Sequence, residues 1–162
     1  MATFNVSRIA GCSSLMRFNE NTAWGAQCFK GTKDDINAAR SAGAPINGAG
    51  VLEARMVPTI SMDAAIALAP AGLPIEKLKL DAQGMDLLLL RSASHAALAR
   101  VRSLELEVVK AGCTTLYLGQ ETHLEVYAFL RQQGFALQSW RWHGHIKCEG
   151  TGFFARALAQ SA

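Results

Sequence analysis

The stretch Leu78-Lys79-Leu80-Asp81-Ala82-Gln83-Gly84-Met85-Asp86 decides how this chain is read. Apolar and charged residues alternate as far as Asp81, the pattern of a strand with one face on a core and the other on something polar. The alternation ends in an acid-rich turn marked by Gly84, and Leu87 to Leu90 is unbroken leucine, so the charges do not belong to a generally polar surface. A strand that stops in this way delivers carboxylates to a crevice beyond its carboxyl end.

Working outward, Ile75 to Asp81 reads as a strand, Met85 to Val101 as mostly helical, and Ser103 to Val109 as a second strand with Leu104, Leu106 and Val108 on one face. Thr122-His123-Leu124-Glu125 has the spacing of a capping box. The helix it opens runs to Gln133, stops at Gly134, and turns Val126, Phe129 and Leu130 to the core. Phe135 to Trp142 and Thr151 to Arg156 read as antiparallel partners joined through His143 to Gly150.

Upstream, Thr3 to Ile9 alternates loosely and turns through Gly11-Cys12-Ser13-Ser14, as a short hairpin or a strand followed by a loop. Thr32 caps a predicted helix over Lys33 to Ala42, and Gly43 to Gly50 is a loop. Leu52 to Ile60 is a strand interrupted by Pro58, and Ser61 caps a short helix through Leu68. The order predicts one α/β domain over residues 1–162, with a mostly parallel sheet and an antiparallel C-terminal hairpin.

Composition narrows the function classes. Of the 162 residues 50% are hydrophobic and 18% charged, which suits a globular chain. The net charge of +3 arises from 16 basic and 13 acidic residues with no basic block, so nucleic acid is not an expected partner. No apolar run reaches the roughly 20 residues a bilayer requires, and Met1 to Leu15 lacks the apolar core of a secretory signal. The expectation is a cytoplasmic protein without a membrane partner, in which Cys12, Cys28, Cys113 and Cys148 are reduced thiols.

On the first central strand Lys77, Lys79 and Asp81 share a face, and on the next Glu105 and Glu107 do. If the strands pair in parallel, opposite charges meet across them, and Asp81, Gln83 and Asp86 fall at the crevice end. A purely structural role stays open, with Lys79 and Glu107 as an ion pair and Asp81 as a cap of the following helix. His143, His145, Cys148 and Glu149 lie close together, but no second ligand pair accompanies them, so no metal is expected and the segment reads as a turn. Trp140 and Trp142 read as sheet-face packing. Neither a Gly-x-Ser-x-Gly elbow nor a Gly-x-Gly-x-x-Gly or phosphate loop is present.

With these residues in view, the chain resembles the FkbM family of S-adenosylmethionine-dependent methyltransferases, of the Rossmann-like class I type. That family's Leu-Lys-Ile-Asp-x-Glu/Gln-Gly-x-Glu-like run, Val/Leu-rich helix and acidic Leu-Glu-Val strand have counterparts in Leu78 to Asp86, Leu87 to Ala93 and Leu106-Glu107-Val108. Gly11 to Leu15, Val57 to Asp63, Leu116 to Gln120, Gln133-Gly134-Phe135 and Gly152 to Arg156 match further segments, so the likeness covers nearly the whole chain.

The resemblance implies a partial Rossmann-like sheet, the C-terminal portion of a methyltransferase domain whose cofactor-binding half, with its glycine turn, is not represented here. Its full strand order places the fourth, fifth, seventh and sixth strands side by side. It implies O-methylation of a small molecule or sugar with S-adenosylmethionine, with Asp81 as base or orienting group for the acceptor hydroxyl. Gln83 and Asp86 would shape the acceptor site, and Lys79 and Glu107 would support it. The loss of the preceding strands would leave Ile75 to Asp81 as an edge, to be covered by the N-terminal hairpin, by a second copy or by a complementing chain. The alternative implication is a non-catalytic remnant that binds or oligomerises.

Overall fold

The structure is a computed structural model, and it describes residues 1–7, 10–19, 21–22, 51–144 and 148–157. The helix expected over Lys33 to Ala42, the loop Gly43 to Gly50, Cys28 and His145 lie outside the described residues. The rest divides into two compact units, one of residues 1–59, 83–85 and 114–120, the other of residues 60–82, 86–113 and 121–162.

In the first unit β1 (Ala2–Ser7) and β2 (Val51–Val57) form an antiparallel ribbon of their own. β2 ends just before Pro58, which lacks the N–H to continue a ladder. After β1 the chain makes a 3-10 turn at Ala10–Cys12 and returns past the strand, with Asn5 and Ser14 exchanging backbone hydrogen bonds at 2.8 and 3.1 Å. It is therefore a strand followed by a loop. A small core of Cys12, Met16, Phe18, Leu116 and Tyr117 closes this unit. Gln83 and Gly84 both have positive φ, 50° and 90°, and a Cβ on Gly84 would lie 2.6 Å from the Tyr117 ring. Glycine is required there for both reasons.

The second unit is built on a mixed four-stranded sheet in the order β3-β4-β6-β5, where β3 is Leu78–Leu80, β4 Ser103–Val109, β5 Phe135–Trp142 and β6 Glu149–Arg156. β3 runs parallel to β4, and β6 runs antiparallel to both β4 and β5. The expectation of a mostly parallel sheet is corrected, because two of the three pairings are antiparallel. The predicted strand from Ile75 is shorter, since Ile75 makes only an isolated parallel bridge to Val101 before the ladder resumes at Leu78. β1 pairs with β2.

Among the described residues four helices follow the sequence signals: α1 (Met62–Ala67), α2 (Asp86–Arg91), α3 (His95–Ala99) and α4 (His123–Gln132). Ser61 and Ser94 cap α1 and α3 through their hydroxyls, and Thr122 with Glu125 forms the capping box of α4. The single helical stretch expected over Met85 to Val101 is broken into α2 and α3, because the Ser94 cap starts a new helix whose amide and hydroxyl both donate to Asp63 Oδ1, at 2.8 and 2.9 Å.

All four helices pack on one face of the sheet. Met62, Ile66, Leu87, Leu90, Leu98, Val126 and Leu130 meet Leu80, Leu104, Leu106, Val108, Phe135 and Phe154 in one core. Trp140 and Trp142 pack against that core, and Gly152 and Gly150 of β6 leave the room their rings occupy. The opposite face carries Lys79, Glu105, Glu107, Phe153 and Thr151, as strand alternation requires.

Two arginines tie off the ends. Arg156 donates to the carbonyls of Leu98 (2.5 Å), Gln133 (3.0 Å) and Val101 (3.2 Å) and lies over the Phe135 ring at 4.5 Å, and burial lowers its pKa. Arg100 donates to the carbonyls of Ile66, Ala69, Pro70 and Leu73 beyond α1. Both add charged donors to carbonyls at and just beyond helix ends.

The cysteines are not reduced thiols. Cys113 and Cys148 are joined, tying the segment after β4 to the entry of β6, and Cys12 is in a disulfide whose partner lies outside the described residues. Such bonds persist in oxidising compartments, which corrects the redox expectation and sets the pairing at odds with a cytoplasmic setting. Among the described residues no helix is long and apolar enough to cross a membrane.

Two outcomes follow from this packing. Replacing Cys113 and Cys148 by alanine should lower unfolding free energy by roughly 3–4 kcal/mol on the loop-entropy account, for a sequence separation of 35, as read by denaturant melts. Gly152→Ala should lower stability by about 1–3 kcal/mol and alter the near-ultraviolet circular dichroism of Trp140, because the added methyl meets that ring and comes within 2.9 Å of Phe154.

Candidate functional site

The carboxyl ends of β3 and β4 lie side by side, and the register that pairs Leu80 with Leu106 carries Asp81 to the level of Glu107. Glu149 opens β6 opposite Val109, two positions beyond Glu107 on β4. Alternation then puts Asp81, Glu107 and Glu149 on the face away from the helices. Asp86 is the first residue of α2, whose Leu87 and Leu90 are held in the core. The residue is 4% exposed. Asp86 Oδ2 accepts one long hydrogen bond, 3.4 Å, from the Ala82 amide, while Oδ1 has no hydrogen-bond partner.

The basic residues take other positions than expected. Lys77 pairs with Glu105, and Lys79 Nζ lies 3.5 Å from Asp81 Oδ2. A Lys79–Glu107 ion pair is absent among the described residues, so that structural alternative is corrected. The parallel register sets Lys79 beside Glu105, which Lys77 already neutralises, and Lys79 turns along its own strand to Asp81. Asp81 flanks Lys79 at the open edge, with its side chain 53% exposed.

Gln83 belongs to the first unit, apart from this cluster. Its Oε1 lies 2.8 Å from the Tyr117 hydroxyl, which is also 3.0 Å from the Cys12 carbonyl, and its backbone carbonyl accepts from Ser14 Oγ at 2.7 Å. Of the residues singled out in the sequence, the structure thus gathers Lys79, Asp81, Asp86 and Glu107 in one unit, while Gln83 holds a turn in the other.

Electrostatics separates the carboxylates. Burial pushes the Asp86 carboxyl up to about 6; the amides of Ala82, Asp86 and Glu107 oppose this, and only the Ala82 amide lies in hydrogen-bond geometry. Glu107 is pushed up to about 7, first by burial and then by the charges of Glu149, Asp81 and Asp86, with Lys79 pulling the other way. Burial also raises Glu149, against the opposing influence of His143. Carboxyls that exchange their proton near neutrality are suited to general acid–base work.

Glu149 was visible in the sequence only as one member of an unconvincing metal group, because its neighbourhood with Glu107 arises from the β4–β6 register. The other described members of that group serve structure. Cys148 is in the disulfide, His143 Nε2 is 3.0 Å from Thr151 Oγ1, and among the described residues no set of three ligands is placed to hold a metal ion. His123, the residue inside the capping box, accepts from the Ala111 amide through Nδ1 at 3.0 Å and meets Trp140 and Trp142 edge-on, each at 5.3 Å. Burial lowers its pKa, so it is a neutral strut for the loop after β4.

No family model, curated protein or solved structure matches this chain.

The raised carboxyls give a pH signature. Asp86 and Glu107 hold protons more tightly folded than unfolded, so their contribution to stability is full below about pH 4 and is lost as pH rises through 6 to 7. Thermal melts should show a smaller loss of Tm between pH 5 and pH 8 for Glu107→Gln than for the wild type, with the variant the more stable of the two at pH 8.

Proposed function

We propose that this chain supplies the acceptor side of an S-adenosylmethionine-dependent methyltransferase of the FkbM type, acting on a hydroxyl of a small molecule or sugar. One observation carries the reading: the order β3-β4-β6-β5, with β6 opposed to both neighbours, is that of the fourth, fifth, seventh and sixth strands of the class I methyltransferase sheet. Likeness of strand order is analogy, and the chemistry has to be argued from the residues.

For O-methylation these residues must bind the acceptor and remove the proton of its hydroxyl. Glu107 is the carboxylate best matched to that proton, since its affinity lies near neutrality and it sits on the face of β4 away from the helices. Asp81, more exposed and beside Lys79, orients the hydroxyl, and Asp86 fixes the floor of the site.

The described residues do not fit S-adenosylmethionine on their own. The space at Gly84 is filled by Tyr117 at 2.6 Å and that at Gly150 by Trp142 at 2.7 Å, so neither glycine offers a cradle. The methyl donor has to be held by residues outside the described ones or by a complementing chain. A non-catalytic module that oligomerises through β3 is the second reading, favoured by the position of that strand at the sheet edge. Against it stands the shortness of the edge, Leu78–Leu80, with an exposed Lys79 at its centre, a combination that discourages strand pairing.

Methyl-labelled S-adenosylmethionine offered with a pool of hydroxylated acceptors, to the chain alone and with the cofactor half of an FkbM-type enzyme in trans, tests the reading. Label should pass to an acceptor in the mixture and fall by about a hundredfold with Glu107→Gln. No transfer in either setting would leave the non-catalytic module as the better account.

A further inference from the structure

We propose that His123 is an acid-sensitive clasp: as a neutral ring it holds the loop of residues 110–113 where that loop leaves β4, and as a cation it lets the loop go. The Cys113–Cys148 bond is the tether that keeps the opening local.

The clasp is a single hydrogen bond with a defined direction. The Ala111 amide donates to His123 Nδ1 at 3.0 Å. A backbone amide has only a donor to offer, so the bond requires a lone pair on Nδ1 and therefore a neutral imidazole. Around it, the Lys110 amide donates to the Cys148 carbonyl at 2.7 Å, the Cys113 amide donates to the Lys110 carbonyl at 3.1 Å, and Val109 forms a parallel bridge with Thr122. That bridge brings the start of α4 beside the end of β4. Gly112 has a φ of 85° and nothing within 4 Å of where a Cβ would stand, so the tip of the loop has room to move.

Protonation reverses the role of Nδ1. An imidazolium carries N–H on both nitrogens and accepts nothing, so two donors would face each other where the bond now lies. The surroundings add to the cost of that charge. His123 is the first residue of α4, at the positive end of the helix dipole. Lys110 adds a second positive charge, its Nζ held over the Trp142 ring at 5.7 Å. On β5 the ring meets the uncharged Trp140 and Trp142 edge-on, and Arg141 between them lies over Phe153. On α4 itself, Glu125 accepts from the Thr122 amide and hydroxyl within the capping box. At the start of β6, Glu149 is influenced by His143.

The sign of the response follows. Burial lowers the His123 pKa and Lys110 adds to this, while the Val109 backbone opposes it. A group that binds its proton more weakly folded than unfolded gives its full support above the ordinary histidine value of 6.5, and that support is lost as pH falls through the lowered one. Asp86 and Glu107 respond in the opposite sense, so the clasp opens under conditions in which those carboxyls favour the fold.

NMR of the full chain, titrated from about pH 8 to about pH 4.5, tests the clasp across the histidine range. The His123 ring should titrate with a midpoint below 6.5, and the Ala111 amide should shift with the same midpoint. One pH unit below that midpoint, exchange of the Ala111 amide, corrected for its intrinsic pH dependence, should be about tenfold faster than near neutrality, while the Leu106 amide in β4 stays protected. His123→Asn, whose Oδ1 can take the place of Nδ1 as acceptor and does not titrate, should abolish both effects; if that variant does not fold, the two wild-type midpoints decide. A His123 midpoint at or above 6.5, an Ala111 amide indifferent to that midpoint, release of Leu106 together with Ala111, or a pH response that survives in His123→Asn would each overturn the proposal.

Discussion

The second unit depends on the position of β4. This strand is paired on both edges, parallel to β3 and antiparallel to β6, and its Leu104, Leu106 and Val108 form the floor on which the helices pack. Because side chains alternate along a strand, burying those residues forces Glu105 and Glu107 to the other face. A one-residue slip of register would exchange the two sets and place glutamates in the core, so the apolar face and the carboxylate face are consequences of the same constraint.

Helices on one side of the sheet explain how a charged stripe is tolerated within it. A parallel pair covered on both faces would have to neutralise every charge, whereas here the face with Lys79, Glu105 and Glu107 stays outside the apolar core of its unit. The ends of the packed side are closed by Arg156 and Arg100, which take up carbonyls at the ends of α1, α3 and α4, and by the Cys113–Cys148 bond with His123, which fix the loop after β4. The disulfide and His123 thus stand at the end of the sheet where the carboxylates collect, and the two arginines at the other.

Burial sets the energetics of the site. Asp86 is carried into the protein by α2, whose neighbouring Leu87 and Leu90 must be buried, and its carboxylate follows without gaining a strong partner. The raised proton affinities of Asp86, Glu107 and Glu149 have a common origin in burial, reinforced for Asp86 by the charge of Asp81 and for Glu107 by those of Glu149, Asp81 and Asp86. Stability given up in this way is a recurring property of functional sites, where charge is held ready for a ligand rather than cancelled internally.

Much of the secondary structure was legible locally. Alternation located β4 from Ser103 to Val109, the hydroxyls of Ser61 and Thr122 marked two helix starts, Pro58 marked a strand end, and Gly134, with φ of 81°, stopped α4. These signals are legible because caps, turns and strand faces are fixed by residues a few positions apart. Of the site, the acids at the end of β3 were legible in the alternation before Gly84, while Gln83 proved to belong to the packing around Tyr117. The pairing of Lys77 with Glu105, the arrival of Glu149 beside Glu107, the joining of Cys113 to Cys148 and the unmet acceptor on Asp86 were decided only by tertiary structure. Each depends on strand register or burial between segments far apart in the chain, and no local pattern encodes which distant residue will fill the neighbouring place.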